Sequence, residues 1–114
     1  MKIPNPEKAI VEIRKLRDYC LNAEHRIGRH KARLFEAALG LTVEDAATLR
    51  DVLREIVKTH EAEIGDNNEH GQRYQIEFEM TWQSKHAMLL SAWNVRPNED
   101  FPRLVTCYPI KSGK

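Results

Sequence analysis

The ten residues "RYQIEFEMTW", positions 73 to 82, leave the chain few options. Tyr74, Ile76, Phe78, Met80 and Trp82 alternate without a break with Arg73, Gln75, Glu77, Glu79 and Thr81. Successive side chains of a strand point to opposite faces, so this spacing predicts a strand with one face in a core and the other in water. Half-buried strands of this kind belong to antiparallel sheets, because parallel sheets are covered on both sides. The rest of the chain must cover one face of that sheet.

The preceding segments read as helices that can do so. In "RHKARLFEAALG", starting at Arg29, Ala32, Phe35, Ala38 and Leu39 recur at helical spacing, and Gly40 is placed to end the helix. Thr42 and Asp45 form a capping-box pattern at the next start. From there Val43, Ala46, Leu49, Val52, Leu53, Ile56 and Val57 make one stripe, and the helix is expected to end by about Glu63, before the turn-rich "GDNNEHG". Further upstream, "KAIVEIRKL" fits either a helix face or a short strand, and "IRKLRDYCLN" predicts a short helix stopping near Asn22, followed by the loop "NAEHRIG". Downstream, "QSKH" suits a hairpin turn into "AMLLSAWNVR", which is apolar on both faces and therefore central. "PNEDFP" reads as a loop and "RLVTCYPI" as a last strand. The expectation is an α+β fold, with N-terminal helices packed on a C-terminal antiparallel sheet of three to four strands, and residues 1–114 as a single domain.

Composition narrows the classes. A chain of 114 residues has room for one core. No window approaches the ~20 apolar residues of a membrane helix, and "MKIPNPEKAI" has no apolar stretch of a secretory signal. Cys20 and Cys107 are the only cysteines and lie far apart, which argues against a disulfide framework and fits a reducing, cytoplasmic setting. Walker and GxGxxG loops, HExxH and paired-cysteine spacings are all missing, so neither a metal nor a cofactor is expected.

The net charge of +1 conceals a segregation. Residues 14–35 carry seven Lys or Arg against Asp18 and Glu24, whereas residues 36–79 carry four against eleven acids. The densest part is "HRIGRHKARLF", where His25, Arg26, Arg29, His30, Lys31 and Arg33 surround Gly28 with no acid among them. A solvated helix start, a metal site and the anion-binding edge of an active site are the three readings of such a run. The five-residue spacing of His25 and His30 makes the metal the weakest. Lys31 and Arg33 near a helix N-terminus would meet a phosphate together with free backbone N–H groups. Arg29 and Arg33 share a face at i, i+4.

The last strands offer a second set. Thr106 and Tyr108 are two apart and point to one face, as do Ser91 and Trp93 on the neighbouring strand. A row of Ser, Thr and Tyr hydroxyls beside a basic helix would suit a phosphate and stacked bases, although Thr and Tyr are also simply good strand formers. Arg96, before Pro97, either closes over a phosphate or ends a strand. Glu77 or Glu79 could serve as a base, or belong to a solvated outer sheet face.

The phrase "KLRDYCLNAEHRIGRHKARLFEAALGL", with "SAWNVRP" and "RLVTCYPI" after it, resembles a family of small uncharacterised bacterial domains. The matching positions are His25, Gly28, Lys31, Ala32 and Phe35, and the resemblance runs from about Lys15 to Tyr108. Such domains are similar in layout to toxin ribonucleases of the barnase, EndoU, colicin and RelE type, and are thought to accompany a small SH3-like partner. The resemblance implies metal-independent RNA cleavage by a toxin of a toxin–antitoxin pair, although the Glu, Arg, His trio of the barnase subgroup is not found in order. Cleavage needs a base, an acid and phosphate-binding donors. His25, His30, Lys31, Ser91 and Thr106 are the catalytic candidates. Arg29, Arg33, Trp93, Arg96 and Tyr108 are the RNA- or phosphate-binding ones. The expected partners are an RNA substrate and a small antitoxin-like protein. A non-catalytic interaction module with a basic docking edge is the alternative, and an immunity or scaffold protein is the third reading.

Overall fold

The computed structural model describes residues 1–110. After a 3-10 turn at Pro6–Lys8, helix α1 covers Ile13–Lys15 and continues as a π-helical turn over Leu16–Cys20. Helix α2 is Arg29–Leu39, and α3 is Ala46–Thr59, entered through a 3-10 turn at Val43–Asp45. Four strands follow: β1 (Glu63–Asn68), β2 (Gly71–Trp82), β3 (Lys85–Val95) and β4 (Pro102–Ile110), joined in that order as an antiparallel meander. The α+β layout expected from the sequence is the observed one.

The helix ends follow their local chemistry. Gly40 closes α2 in the left-handed region at φ 75°, where a side chain would be strained. The Thr42 backbone N–H donates to the Asp45 carboxylate at 2.9 Å, and both halves of the capping box are present. The ambiguous "KAIVEI" contributes only a parallel bridge from Ile10 to Arg103 before the chain turns helical at Ile13.

Helices and sheet share one core. Phe35 and Leu39 of α2, and Leu49, Leu53 and Val57 of α3, are buried with Tyr74, Ile76, Phe78 and Met80 of β2. The alternation in β2 holds over its length, for Arg73, Gln75, Glu77, Glu79 and Thr81 are all exposed. The turn before β3 is Gln83–Ser84, with Trp82 paired to Lys85 and Gln83 at φ 57°.

Two features depart from the sequence reading. α3 stops at Thr59, and much of the stretch expected to be turn forms β1, whose six residues are all exposed. Both faces of this edge strand meet water, so it carries no apolar rhythm. Gln72 supports it, its side-chain amide donating to the carbonyls of Gly65 at 2.9 Å and Asp66 at 3.2 Å beside a register shift. The second departure is a bulge in β4. Ala92 pairs with Thr106 but Trp93 pairs with Leu104, leaving Val105 as an extra residue. Beyond it Cys107 and Pro109 point inward while Thr106 and Tyr108 line up with Ala92 and Leu90 on the other face.

Candidate functional site

The basic run is divided by the geometry of α2. Each helical residue advances about 100°, so Lys31 is about 200° from Arg29 and from Arg33. Ala32, Phe35 and Leu39 hold the helix to the core. Lys31, beside them, reaches the flank where α1 meets β4. Its Nζ donates to the Tyr19 Oη at 3.3 Å and lies 5.2 Å from the Tyr19 ring centre and 5.5 Å from that of Tyr108. An ammonium within about 6 Å of an aromatic face is attracted by the ring quadrupole. No carboxylate pairs with Lys31 among the described residues.

Lys15, Tyr19, Lys31, Val105 and Thr106 line an open groove of about 410 Å³. Its lining holds two ammonium groups and two hydroxyls, and no acid. A smaller cavity of about 120 Å³ adjoins it, sharing Lys15 and Val105 and adding Glu12, Asn94, Arg96 and Arg103. Arg103 is already committed to the Glu99 carboxylate through two bonds of 2.9 Å, whereas Arg96 is a looser 3.9 Å from it. That pairing with Arg103 holds the Glu99 carboxyl below its ordinary range.

The loop before α2 fixes Tyr19. His25 Nδ1 accepts the backbone N–H groups of Ile27 at 3.0 Å and Gly28 at 2.9 Å, so the imidazole hydrogen sits on Nε2. Its ring stands edge-on to Tyr19 with centroids 5.0 Å apart. Gly28 has φ −77°, so its backbone needs no glycine; the space does. A Cβ there would lie 2.1 Å from the Tyr19 carbonyl oxygen. Gly28→Ala is therefore expected to push the loop off α1, costing about 1–3 kcal/mol and moving Tyr19 out of line with Lys31. Thermal unfolding, together with anion binding followed by tyrosine fluorescence, checks both parts.

Other sequence candidates fall elsewhere. Ser91 and Trp93 have no exposed surface. The Ser91 hydroxyl donates to the Ile76 carbonyl at 3.0 Å and accepts the Trp93 indole N–H at 2.9 Å. Because Ser91 pairs with Cys107, it shares the inner face, opposite to Thr106 and Tyr108. The row of hydroxyls drawn from the sequence is thus split across the sheet, and its Ser91 and Trp93 belong to the core. His30, Arg29 and Arg33 are exposed and do not line the groove. Glu77 is separated from Tyr108 by Leu90, two strand spacings or about 10 Å. Two polar groove residues, Lys15 and Tyr19, are not among the sequence candidates. Their i, i+4 spacing just ahead of the basic run was the available signal.

Cys20 and Cys107 are free, buried thiols beneath the groove, and the Cys20 sulfur is 4.0 Å from the Thr106 hydroxyl. Burial pushes the Cys20 thiol above its ordinary range, opposed by hydrogen bonds to the Cys107 backbone and Thr106 and by nearby Lys31 and Lys15. Burial, with Cys20 beside it, raises Cys107 further. A raised folded-state value stabilises the fold fully below the unfolded value, near 9.0, and that contribution is lost as pH rises past it. Stability to urea should accordingly fall between about pH 8 and pH 10, and the Cys20→Ala, Cys107→Ala double variant should show a shallower fall.

No helix among the described residues is long and apolar enough to cross a membrane, and no three His, Cys, Asp or Glu side chains form a metal-holding group there. A family model described as a domain of unknown function, DUF6883, matches residues 2–111. That span includes the stretch from Lys15 to Tyr108 that resembles a small uncharacterised domain family. Among curated proteins none matches in sequence. A chain of the contact-dependent growth inhibition toxin–immunity protein complex from Klebsiella pneumoniae 342 shares the fold, with a TM-score of 0.68 at 16% identity over 94% of this chain and 97% of that one. Neither finding shows a ribonuclease family.

Proposed function

Given that the chain belongs to the DUF6883 family and has the fold of one chain of a toxin–immunity complex, we propose that it is the toxin component of such a pair and a metal-independent endoribonuclease. The observation that supports this reading is Lys31, a cation without a carboxylate partner among the described residues, held between two tyrosine rings in an open groove. A phosphate placed there would meet Lys31, Lys15 and the hydroxyls of Tyr19 and Thr106, while a base could stack on Tyr108.

The chemistry is attack of the ribose 2′-hydroxyl oxygen on the adjacent phosphorus. The O2′–P bond forms as the hydroxyl proton passes to a solvent water, and the P–O5′ bond breaks as the 5′-oxygen takes up a proton from water, leaving a 2′,3′-cyclic phosphate and a 5′-hydroxyl. Negative charge grows on the phosphoryl oxygens, and fixed cations and O–H donors aimed there stabilise it. His25 is the histidine in contact with the groove, through Tyr19, and its part is to position Tyr19: its Nδ1 accepts two backbone N–H groups while its ring stands edge-on to the phenol. His30, Arg29, Arg33 and Arg96 have no place in this step. Ser91 and Trp93 support it only as core.

A second reading, a non-catalytic immunity or interaction domain, draws on the acid-free groove lining, which offers no carboxylate base. Induced expression in bacteria separates the two. A toxin is expected to arrest growth with discrete RNA fragments on a gel. Normal growth and intact RNA beside a soluble, folded chain would favour the interaction domain.

A further inference from the structure

Lys31 accounts for one member of the basic run, and the others face away from it. Arg26, Arg29, His30 and Arg33 are exposed, and none makes an ion pair among the described residues. Two large apolar side chains stand in their midst, Ile27 at 65% and Leu34 at 47% exposed. On a helix, residues three and four apart are neighbours, so Arg29 adjoins Arg33 and His30 adjoins both Arg33 and Leu34. Glu36 is the nearest acid further along α2, one turn beyond Arg33, and it pairs with neither arginine. Core packing does not require this face, because α2 is anchored through Ala32, Phe35 and Leu39.

We propose that the outward face of α2 docks the cognate partner, a protein that offers an apolar contact ringed by Asp and Glu. The proposal rests on the toxin reading above and locates the partner on a face of α2 other than the one carrying Lys31. Uncompensated cations call for an anionic surface, and charge complementarity of this kind speeds and orients association. The aliphatic pair decides which anion. RNA backbones are held by cations and polar donors and have no use for exposed isoleucine and leucine, whereas protein interfaces combine an apolar centre with arginine. Ile27 also precedes Gly28, whose backbone packs on the Tyr19 carbonyl. A partner seated there touches the loop that holds the groove.

The test titrates the purified chain with the purified product of the reading frame adjoining its gene, with binding of a single-stranded RNA oligomer measured in parallel. Arg29→Glu with Arg33→Glu should weaken the protein complex by at least about 100-fold, and Leu34→Ser alone by about tenfold. Both variants should keep their circular dichroism and their RNA affinity. Lys31→Ala should lose RNA and keep the partner. Affinity for the partner should fall steeply as salt shortens the screening length below about 10 Å. Unchanged partner binding in the α2 variants, loss of RNA binding in its place, or no binding of the adjoining product by the wild type would overturn the proposal. Loss of the partner in the α2 variants of a chain that never cleaves RNA would retain the docking face and remove the nuclease.

Discussion

Lys31→Ala is expected to lower RNA cleavage by about 100-fold or more while leaving the fold intact. The ammonium is only partly buried and reaches into a groove, with one hydrogen bond to Tyr19 and contacts to two rings. Removing it sacrifices little packing, and exposed or half-exposed cation–π contacts are worth only about 0.5–1 kcal/mol each. Its loss to a transition state is greater, because a fixed cation beside a phosphorane acts without reorganisation and in a partly desolvated setting. Lys31→Arg gives the comparison. Arginine keeps the charge, and its planar guanidinium can stack on the two tyrosine rings, which lie 5.2 and 5.5 Å from the Lys31 ammonium. It replaces a compact point charge by a fork, and is therefore expected to retain more activity than alanine. Single-turnover rates and unfolding curves for the three proteins separate lost catalysis from lost structure. A Lys31→Ala variant as active as the wild type would remove Lys31 from the site.

Trp93→Ala should have the largest effect on stability, about 3–5 kcal/mol, as expected when a fully buried large side chain leaves a cavity. Trp93 heads the set of large side chains with no exposed surface and lies on a central strand. Its indole N–H is satisfied by Ser91, whose hydroxyl in turn donates to the Ile76 carbonyl. Ser91→Ala should therefore cost about 1–3 kcal/mol by orphaning a buried donor. Trp93→Phe combined with Ser91→Ala should cost less than the sum, because the two share one hydrogen bond. Urea titrations of the cycle measure this directly. RNA affinity at low temperature, where the variants remain folded, is expected to match the wild type. A specific loss of RNA binding by Ser91→Ala would return these residues to the site.

How far such roles can be read from the chain depends on how much local pattern each carries. β2 was legible because its two faces differ, and α2 and α3 because their stripes and caps agree. β1 left no trace, since an edge strand exposed on both faces is held by backbone bonds and the Gln72 amide. β3 is apolar on both parities, so nothing local says which parity meets the helices; the register with β4 decides it, setting Ser91 opposite Cys107. The bulge at Val105 has the same origin in pairing. At the site, charge and alternation mark Lys31, Thr106 and Tyr108, and the fold brings Lys31 into reach of both strand residues. Tyr19 carries one local mark, its i, i+4 spacing from Lys15, but its role arises from packing against Gly28 and the His25 ring, which no sequence period encodes. His25 stands out in the sequence as an acid–base candidate, yet the bonds it makes are those of a loop brace.

The central assignment, that the Lys31 groove binds and cleaves RNA, is tested most directly by the chemistry of the cut. Purified wild-type chain and Lys31→Ala would each be incubated with a defined single-stranded RNA in excess chelator, and the product ends identified by mass. Fragments ending in a 2′,3′-cyclic phosphate and a 5′-hydroxyl, from the wild type alone, are the expected result. Intact RNA after prolonged incubation with the folded wild type, or equal cleavage by the Lys31→Ala variant, would contradict it.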